Sequence, residues 1–161
     1  MNNMTAVAVR NDADHGNPEI KHRYLEALTL IERLHRRLLD VIKDEFERNG
    51  EQEVNSVQAL LLFNIGDSEL TAGELKTRGY YQGSNVSYNI KKLAEMGYLD
   101  QERSAHDRRS VSIKLTEKAL GVVGEIRELE QRIAGQLGEH EVGSNEIDTV
   151  CHALRRVERT W

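Results

Sequence analysis

The chain has 161 residues and a net charge of −5, and 39% of its residues are hydrophobic, 5% aromatic and 30% charged. This length suits one small domain with an attached oligomerisation element, and so polar a composition favours long helices that share a partner's surface. No apolar run approaches the roughly 20 residues that span a bilayer, and the single cysteine fits a reducing compartment, so we expect a cytoplasmic protein without membrane contact.

The N-terminal residues 1–17 lack periodicity and are predicted to form a flexible tail. Asn17 can cap a helix whose first position is Pro18, and Asn49 with Gly50 can end it. The apolar residues between recur at helical spacing: Leu28, Ile31, Leu34, Leu38, Val41, Ile42 and Phe46. Such a helix, roughly 45 Å long at about 1.5 Å per residue, overruns a small domain. Residues 18–49 are therefore predicted to be a dimerisation helix.

Three shorter helices are predicted next. Asn55 or Ser56 caps the first, and Gly66 closes it. The stretch TAGE at 71–74 is a capping box that opens a short helix, and a further helix extends from about residue 82 or 84 to residue 97. Two short helices joined by a tight junction containing glycine indicate a helix-turn-helix.

The periodicity then changes from helical to alternating. Val111, Ile113 and Leu115 alternate with polar residues, which is typical of a half-buried strand, and residues 98–104 are its predicted partner. Thr116 caps a long helix, and a last helix follows Gly143. The predicted fold is mainly α with a small β-hairpin. It comprises a winged helix-turn-helix over residues 50–116, flanked by long dimerisation helices at 18–49 and 117–161.

The charge is unevenly distributed along the chain. Eight basic residues stand against five acidic ones between Thr71 and Thr116, so this segment is basic whereas the remainder is acidic. An acidic body with one basic segment is typical of a protein that presents one face to a polyanion.

The second helix of the pair carries a polar face opposite Val86, Ile90 and Leu93. Its side chains can hydrogen-bond base edges or phosphates: Ser84, Asn85, Ser87, Tyr88, Asn89, Lys91 and Lys92. The alternative is an ordinary solvated helix face. The hairpin favours the first interpretation, because Arg108 and Arg109 at the tip of a wing can enter a minor groove. Asp107 is expected to pair with one of these arginines and shape the tip, although the group could also be a solubilising charge cluster.

The stretches LTAGELKTRG, SNVSYNIKKLAEMGYL, DRR and IKLT, in this order, resemble the winged helix of the MarR family of bacterial transcriptional regulators. The flanking helices resemble that family too. The resemblance implies a homodimer that binds a pseudo-palindromic operator in double-stranded DNA, with residues 84–96 as the recognition helix and Arg108 and Arg109 in the wing. Tyr88 stands where many members have an arginine, so sequence preference is expected to rest on Asn85, Ser87 and Asn89.

The resemblance also implies a small amphipathic or phenolic ligand between the DNA-binding lobe and the dimer helices. His22, Arg23, His35 and Arg36 lie on the first helix, where such a pocket could open, or they are ordinary surface residues.

Other chemistry has little support in the sequence. Cys151 is interpreted as a small buried thiol, with redox sensing as the alternative. The six histidines lack metal-ligand spacing, and we find no phosphate-binding glycine loop or nucleophile motif. We therefore expect no metal, no cofactor, no catalytic residue and no enzymatic activity. A winged-helix adaptor that binds proteins and no DNA is the alternative function.

Overall fold

The computed structural model describes residues 17–50, 53–66, 70–77, 83–103 and 111–160. The elements are α1 (Pro18–Asn49), α2 (Ser56–Ile65), β1 (Leu70–Thr71), α3 (Ala72–Thr77), α4 (Gly83–Glu95), β2 (Leu99–Arg103), β3 (Val111–Leu115), α5 (Glu117–Leu137) and α6 (Ser144–Glu158), with a short 3-10 turn at Gly138–His140. The predicted class, mainly α with a winged helix-turn-helix, is confirmed. None of the described helices is long and apolar enough to cross a membrane.

Local capping determines where several helices begin. The side chain of Asn17 accepts a hydrogen bond from the backbone N–H of Glu19 at 3.0 Å, and α1 begins at the next residue, as predicted. Thr116 accepts from the backbone N–H of Ala119 at the start of α5. At the start of α2, it is Asn55 rather than Ser56 that caps. Each cap satisfies a backbone donor that the first helical turn leaves without a partner.

The sheet has three strands in the order β1-β3-β2, all antiparallel, whereas the sequence predicted a two-stranded hairpin. The additional strand pairs Leu70 with Ile113 and Thr71 with Ser112. It has only two residues, so it shows no alternation that a pattern could detect. Burial explains the pairing, since Leu70 and Ile113 are both almost fully buried.

The core of the winged helix includes the N-terminal half of α5. Residues from four helices are buried in it: Ile42 and Phe46 of α1, Leu61, Leu62 and Ile65 of α2, Val86, Ile90 and Leu93 of α4, and Val122, Val123, Ile126 and Leu129 of α5. The first part of α5 packs against α2. A helix predicted to serve dimerisation thus also stabilises the lobe that carries α4.

The chain divides into two compact units between Leu38 and Leu39, inside α1. In the first unit, large apolar side chains of α1 are exposed: Ile20, Leu25, Leu30, Ile31 and Leu34. In the second unit, α6 likewise exposes Ile147, Val150 and Leu154. A single chain leaves these apolar side chains in contact with water.

Candidate nucleic-acid interface

Helix α4 has one buried and one exposed face. Val86, Ile90 and Leu93 lie in the core, which fixes the rotation of the helix about its axis. The exposed side chains are those of Asn85, Ser87, Tyr88, Lys91 and Lys92. Ser84 lies in the first turn. Six of the seven residues predicted for this helix thus lie in its first turn or on its exposed face. The seventh, Asn89, is half-buried.

Tyr88 is the most prominent apolar group on this face, because its side chain is 66% exposed although it is aromatic. An exposed aromatic ring flanked by amide and hydroxyl groups can contact a thymine methyl group or a sugar while its hydroxyl bonds to phosphate. The ring stands where the family resemblance would have placed an arginine, so the contact here is expected to be partly apolar.

The two lysines of α4 differ in their neighbours. Lys91 Nζ lies 3.9 Å from Glu95 Oε1, one turn along the helix, and both side chains are exposed. Within the described part of the chain, no carboxylate pairs with Lys92 in this way. Lys92 is therefore the more available cation for a phosphate.

Asn89 is half-buried and is held from inside the protein. Its Oδ1 accepts a hydrogen bond from Gln58 Nε2 at 3.4 Å. Gln58 is itself buried near the start of α2, where its Oε1 accepts from the backbone N–H of Asn55 at 3.1 Å. The backbone N–H of Gln58 donates in return to Asn55 Oδ1 at 2.9 Å. Gln58 is not among the residues predicted from the sequence, although the spacing of Asn55 and Gln58 is that of a capping box.

The C-terminal end of α4 is fastened to the start of α5. Gly97 takes a positive φ of 78°, a conformation that favours glycine, and ends the helix. Its carbonyl accepts a hydrogen bond from Thr116 Oγ1 at 2.8 Å, and the carbonyl of Met96 accepts from Lys118 Nζ at 3.1 Å. A displacement of the start of α5 would therefore disturb the end of α4.

A buried tyrosine connects the same region to the segment before α2. The hydroxyl of Tyr98 donates to Glu53 Oε2 at 2.9 Å, and Lys118 Nζ lies 2.7 Å from the same oxygen and 4.3 Å from the centre of the tyrosine ring. These hydrogen bonds, from Lys118 first and Tyr98 second, lower the pKa of Glu53. Glu53, Tyr98 and Lys118 are likewise absent from the residues predicted from the sequence.

The two strands of the wing are paired from Leu99 with Leu115 to Arg103 with Val111. Residues 104–110, which connect them, lie outside the described residues. The predictions for Asp107, Arg108 and Arg109 therefore also lie outside them and remain predictions.

One face of the wing is mainly acidic. In the β2–β3 register, Asp100 lies opposite Lys114 and Glu102 opposite Ser112. Together with Glu117 these side chains line a groove of about 350 Å³. Carboxylates repel phosphate, so this face is unsuited to contact a polyanion, in contrast with the exposed face of α4.

The residues predicted for a ligand pocket are all exposed on α1: His22, Arg23, His35 and Arg36. Arg23 lies 3.9 Å from Glu26, and Arg36 lies 3.8 Å from Glu32, both as solvated pairs along the helix. In α6, Cys151 is half-buried. Over the described ranges, no three histidine, cysteine or acidic side chains gather as metal ligands would.

Comparison with known proteins identifies a family and a relative. A family described as a winged helix DNA-binding domain matches residues 54–119. Over 138 residues the chain is 33% identical to the exopolysaccharide II synthesis transcriptional activator ExpG of Rhizobium meliloti (strain 1021). The aligned region covers 86% of this chain and 71% of ExpG.

Solved structures share the fold at lower identity. FabT of Streptococcus pneumoniae in complex with DNA superposes with a TM-score of 0.67 at 15% identity, covering 85% of this chain and 96% of FabT. A mutant MarR from E. coli complexed with operator DNA gives a TM-score of 0.64 at 16% identity, covering 84% of this chain and 95% of MarR. At this identity, the similarity concerns the fold alone.

Proposed function

The chain belongs to the MarR family of winged-helix transcriptional regulators, as its motifs predicted, and we propose that it acts as a homodimer on a pseudo-palindromic operator in double-stranded DNA. It is a DNA-binding regulator and not an enzyme. A DNA-binding regulator acts where the DNA is, which supports the predicted cytoplasmic location.

The observation that carries this proposal is the two-faced character of α4. Its apolar residues are all committed to the core, so its exposed amide, hydroxyl and ammonium groups cannot turn inward. In the proposed complex α4 enters the major groove, Asn85 and Ser87 meet base edges, and Lys91 and Lys92 meet phosphates. Arg108 and Arg109 reach the adjacent minor groove, and Asp107 shapes the tip of the wing.

The exposed apolar residues of α1 and of α6 support the dimer. Water-exposed stripes on two helices are stabilised when a second copy covers them, and a twofold axis does this with the same patch on both chains. The same axis would place two α4 helices on half-sites about one DNA turn apart, roughly 34 Å.

A small amphipathic or phenolic molecule is proposed as the effector. It needs only a different affinity for two geometries of the dimer to weaken or strengthen DNA binding. Residues His22, Arg23, His35 and Arg36 remain the proposed contacts, because their exposure on α1 leaves them available to a pocket completed by the second chain.

Fluorescence anisotropy tests the operator proposal. The full-length protein is titrated into a labelled duplex from upstream of its own gene and into a scrambled duplex, over a series of salt concentrations. We expect tight binding to the first duplex that falls steeply with salt, since phosphate contacts release counterions. Absence of binding to both duplexes at low salt would contradict the proposal and favour the protein-binding adaptor.

Two sets of variants assign the contacts. The double substitution Arg108→Ala and Arg109→Ala should lower the affinity for both duplexes, because a wing reads shape and charge. Asn85→Ala should instead reduce the discrimination between them, by about 1–3 kcal/mol if its amide makes a bidentate base contact. An unchanged affinity in the double variant would show that the wing does not contact DNA.

A further inference from the structure

We propose that Gln58 is a positioning residue that fixes the orientation of the Asn89 side-chain amide and thereby determines which bases α4 accepts. The proposal rests on the docking of α4 into the major groove. The hydrogen bond between Gln58 and Asn89 connects α2 to α4, so the orientation of the Asn89 amide is set by tertiary packing and not within its own helix.

A chain of donors and acceptors sets the orientation. The backbone N–H of Asn55 can only donate, so the group of Gln58 that faces it must be Oε1, at 3.1 Å. This turns Gln58 Nε2, which can only donate, towards Asn89. Asn89 must then present Oδ1 to Gln58, which leaves its Nδ2 group directed away from α2. Since a backbone group begins the chain, neither amide can flip without breaking a hydrogen bond.

Burial makes this polarity costly to reverse. Gln58 is only 6% exposed, so water is not available to replace a broken hydrogen bond. Gln58 is also tied by its own backbone N–H, which donates to Asn55 Oδ1 at 2.9 Å. The amide of Asn89 is thus constrained before DNA arrives, whereas the exposed Asn85 can orient freely.

The consequence concerns the exocyclic groups of bases. A freely rotating asparagine can bond adenine in a bidentate manner, accepting from N6 and donating to N7. With Oδ1 held by Gln58, Asn89 offers donors only. Guanine O6 and thymine O4 accept such donors, whereas cytosine presents only the N4 donor, and adenine keeps N7 as an acceptor but places its N6 donor beside the donors of the amide. At the position that meets Asn89, guanine or thymine should therefore be preferred over adenine and cytosine.

The substitution Gln58→Glu reverses the polarity with almost no change of shape. A carboxylate still accepts from the backbone N–H of Asn55, and glutamate at this helical position completes a capping box. Its second oxygen is an acceptor, so Asn89 must turn Nδ2 inward and Oδ1 outward. The preferred base then becomes adenine or cytosine.

Selection from a randomised duplex library tests this without knowledge of the operator. Four full-length proteins are compared: the wild type, Gln58→Glu, Asn89→Ala and the double variant. We expect one half-site position at which the wild type favours guanine or thymine by about fivefold, the worth of one hydrogen bond. Gln58→Glu should invert the preference there, and both proteins carrying Asn89→Ala should show none. Comparing Asn89→Ala with the double variant also measures the effect of the added charge alone.

Three results would overturn the proposal. Identical base profiles for the wild type and Gln58→Glu would show that Gln58 does not steer recognition. An altered profile that persists with Asn89→Ala would assign the change to charge. If the wild type enriches no sequence, the proposal that α4 docks into the major groove fails as well. The first two results contradict only the role of Gln58, so the two kinds of failure can be distinguished.

A second variant covers the case in which Gln58→Glu does not fold, as judged by circular dichroism. Gln58→Met keeps the volume but can neither donate to Asn89 nor accept from it. The preference at this one position should fall while the preferences at other positions remain. Retention of the full wild-type preference would overturn the proposal.

Discussion

The carboxylate of Glu45 joins the C-terminal end of α1 to α5, and its neutralisation offers a test of how the lobe is held together. Its side chain is only 9% exposed, and it accepts hydrogen bonds from Arg132 of α5 and, at 2.8 Å, from Arg48 Nη1. The substitution Glu45→Gln removes the charge at nearly constant side-chain volume. Glu47, on the same helix, is a matched control, since it lies 3.7 Å from Lys43 in a solvated pair.

The expected cost follows from the exposure of the partners. A buried hydrogen bond to a charged group contributes about 1.5–3 kcal/mol. Arg132 is 52% and Arg48 69% exposed, so solvent screens both interactions. We therefore expect Glu45→Gln to lower the free energy of unfolding by about 1–2 kcal/mol, well below the cost of breaking a fully buried pair. Glu47→Gln should cost less than about 0.5 kcal/mol, because an exposed pair contributes little.

Urea denaturation followed by circular dichroism measures the difference. All three proteins are compared at one concentration, because the unfolding of the proposed dimer would depend on concentration. With a slope of about 2 kcal/mol/M, the midpoint of Glu45→Gln should fall by roughly 0.5–1 M and that of Glu47→Gln should barely move. Equal midpoints for the two variants would refute the reasoning. Apolar packing of Ile42 and Phe46 would then hold α1 in place.

Two further predictions concern DNA binding and acid stability. In the proposed dimer on DNA, Lys92→Gln would remove two phosphate contacts, so the slope of log affinity against log salt should become shallower by about 1.8, measured by anisotropy. Lys91→Gln should change the slope less, because Glu95 already lies near that lysine, and equal changes would contradict this reading. Hydrogen bonds lower the pKa of Glu53, so its stabilisation is complete above the ordinary value of 4.5 and is lost as the pH falls through the lower folded value. Below pH 4.5 the melting temperature of the wild type should therefore fall more steeply than that of Glu53→Gln, and parallel curves would contradict the assignment.

Local interactions explain which features were predictable from the sequence. The start of α1 after Asn17 and of α5 after Thr116 depend on hydrogen bonds to a backbone group two or three residues away. The division of α4 into two faces depends on helical spacing alone. Such features are encoded within one or two turns, which a pattern can reveal.

The features that sequence did not reveal depend on distant partners. Glu45 belongs to a polar pattern on α1, yet it is buried, and its partner Arg132 lies 87 residues further along the chain. Asn89 was placed among the residues of the polar face, and its hydrogen bond to Gln58, 31 residues earlier, has no local signal. Helical spacing assigns side chains to a face of α4, but the orientation of an individual side chain depends on the tertiary packing.

Long-range contacts connect the end of α1 to α4 through α5, and the proposed effector could act on DNA binding through them. Arg132 and Glu125 of α5 are hydrogen-bonded to Glu45 and Asn49 at the end of α1. At the start of α5, Thr116 donates a hydrogen bond to the carbonyl of Gly97, just after α4. Because packed helices shift as units and do not deform continuously, a change in the spacing of the dimer helices would be carried through α5 to α4. The amide of Asn89 is anchored separately, on α2, so a displacement of α4 relative to α2 would strain the hydrogen bond that orients that amide.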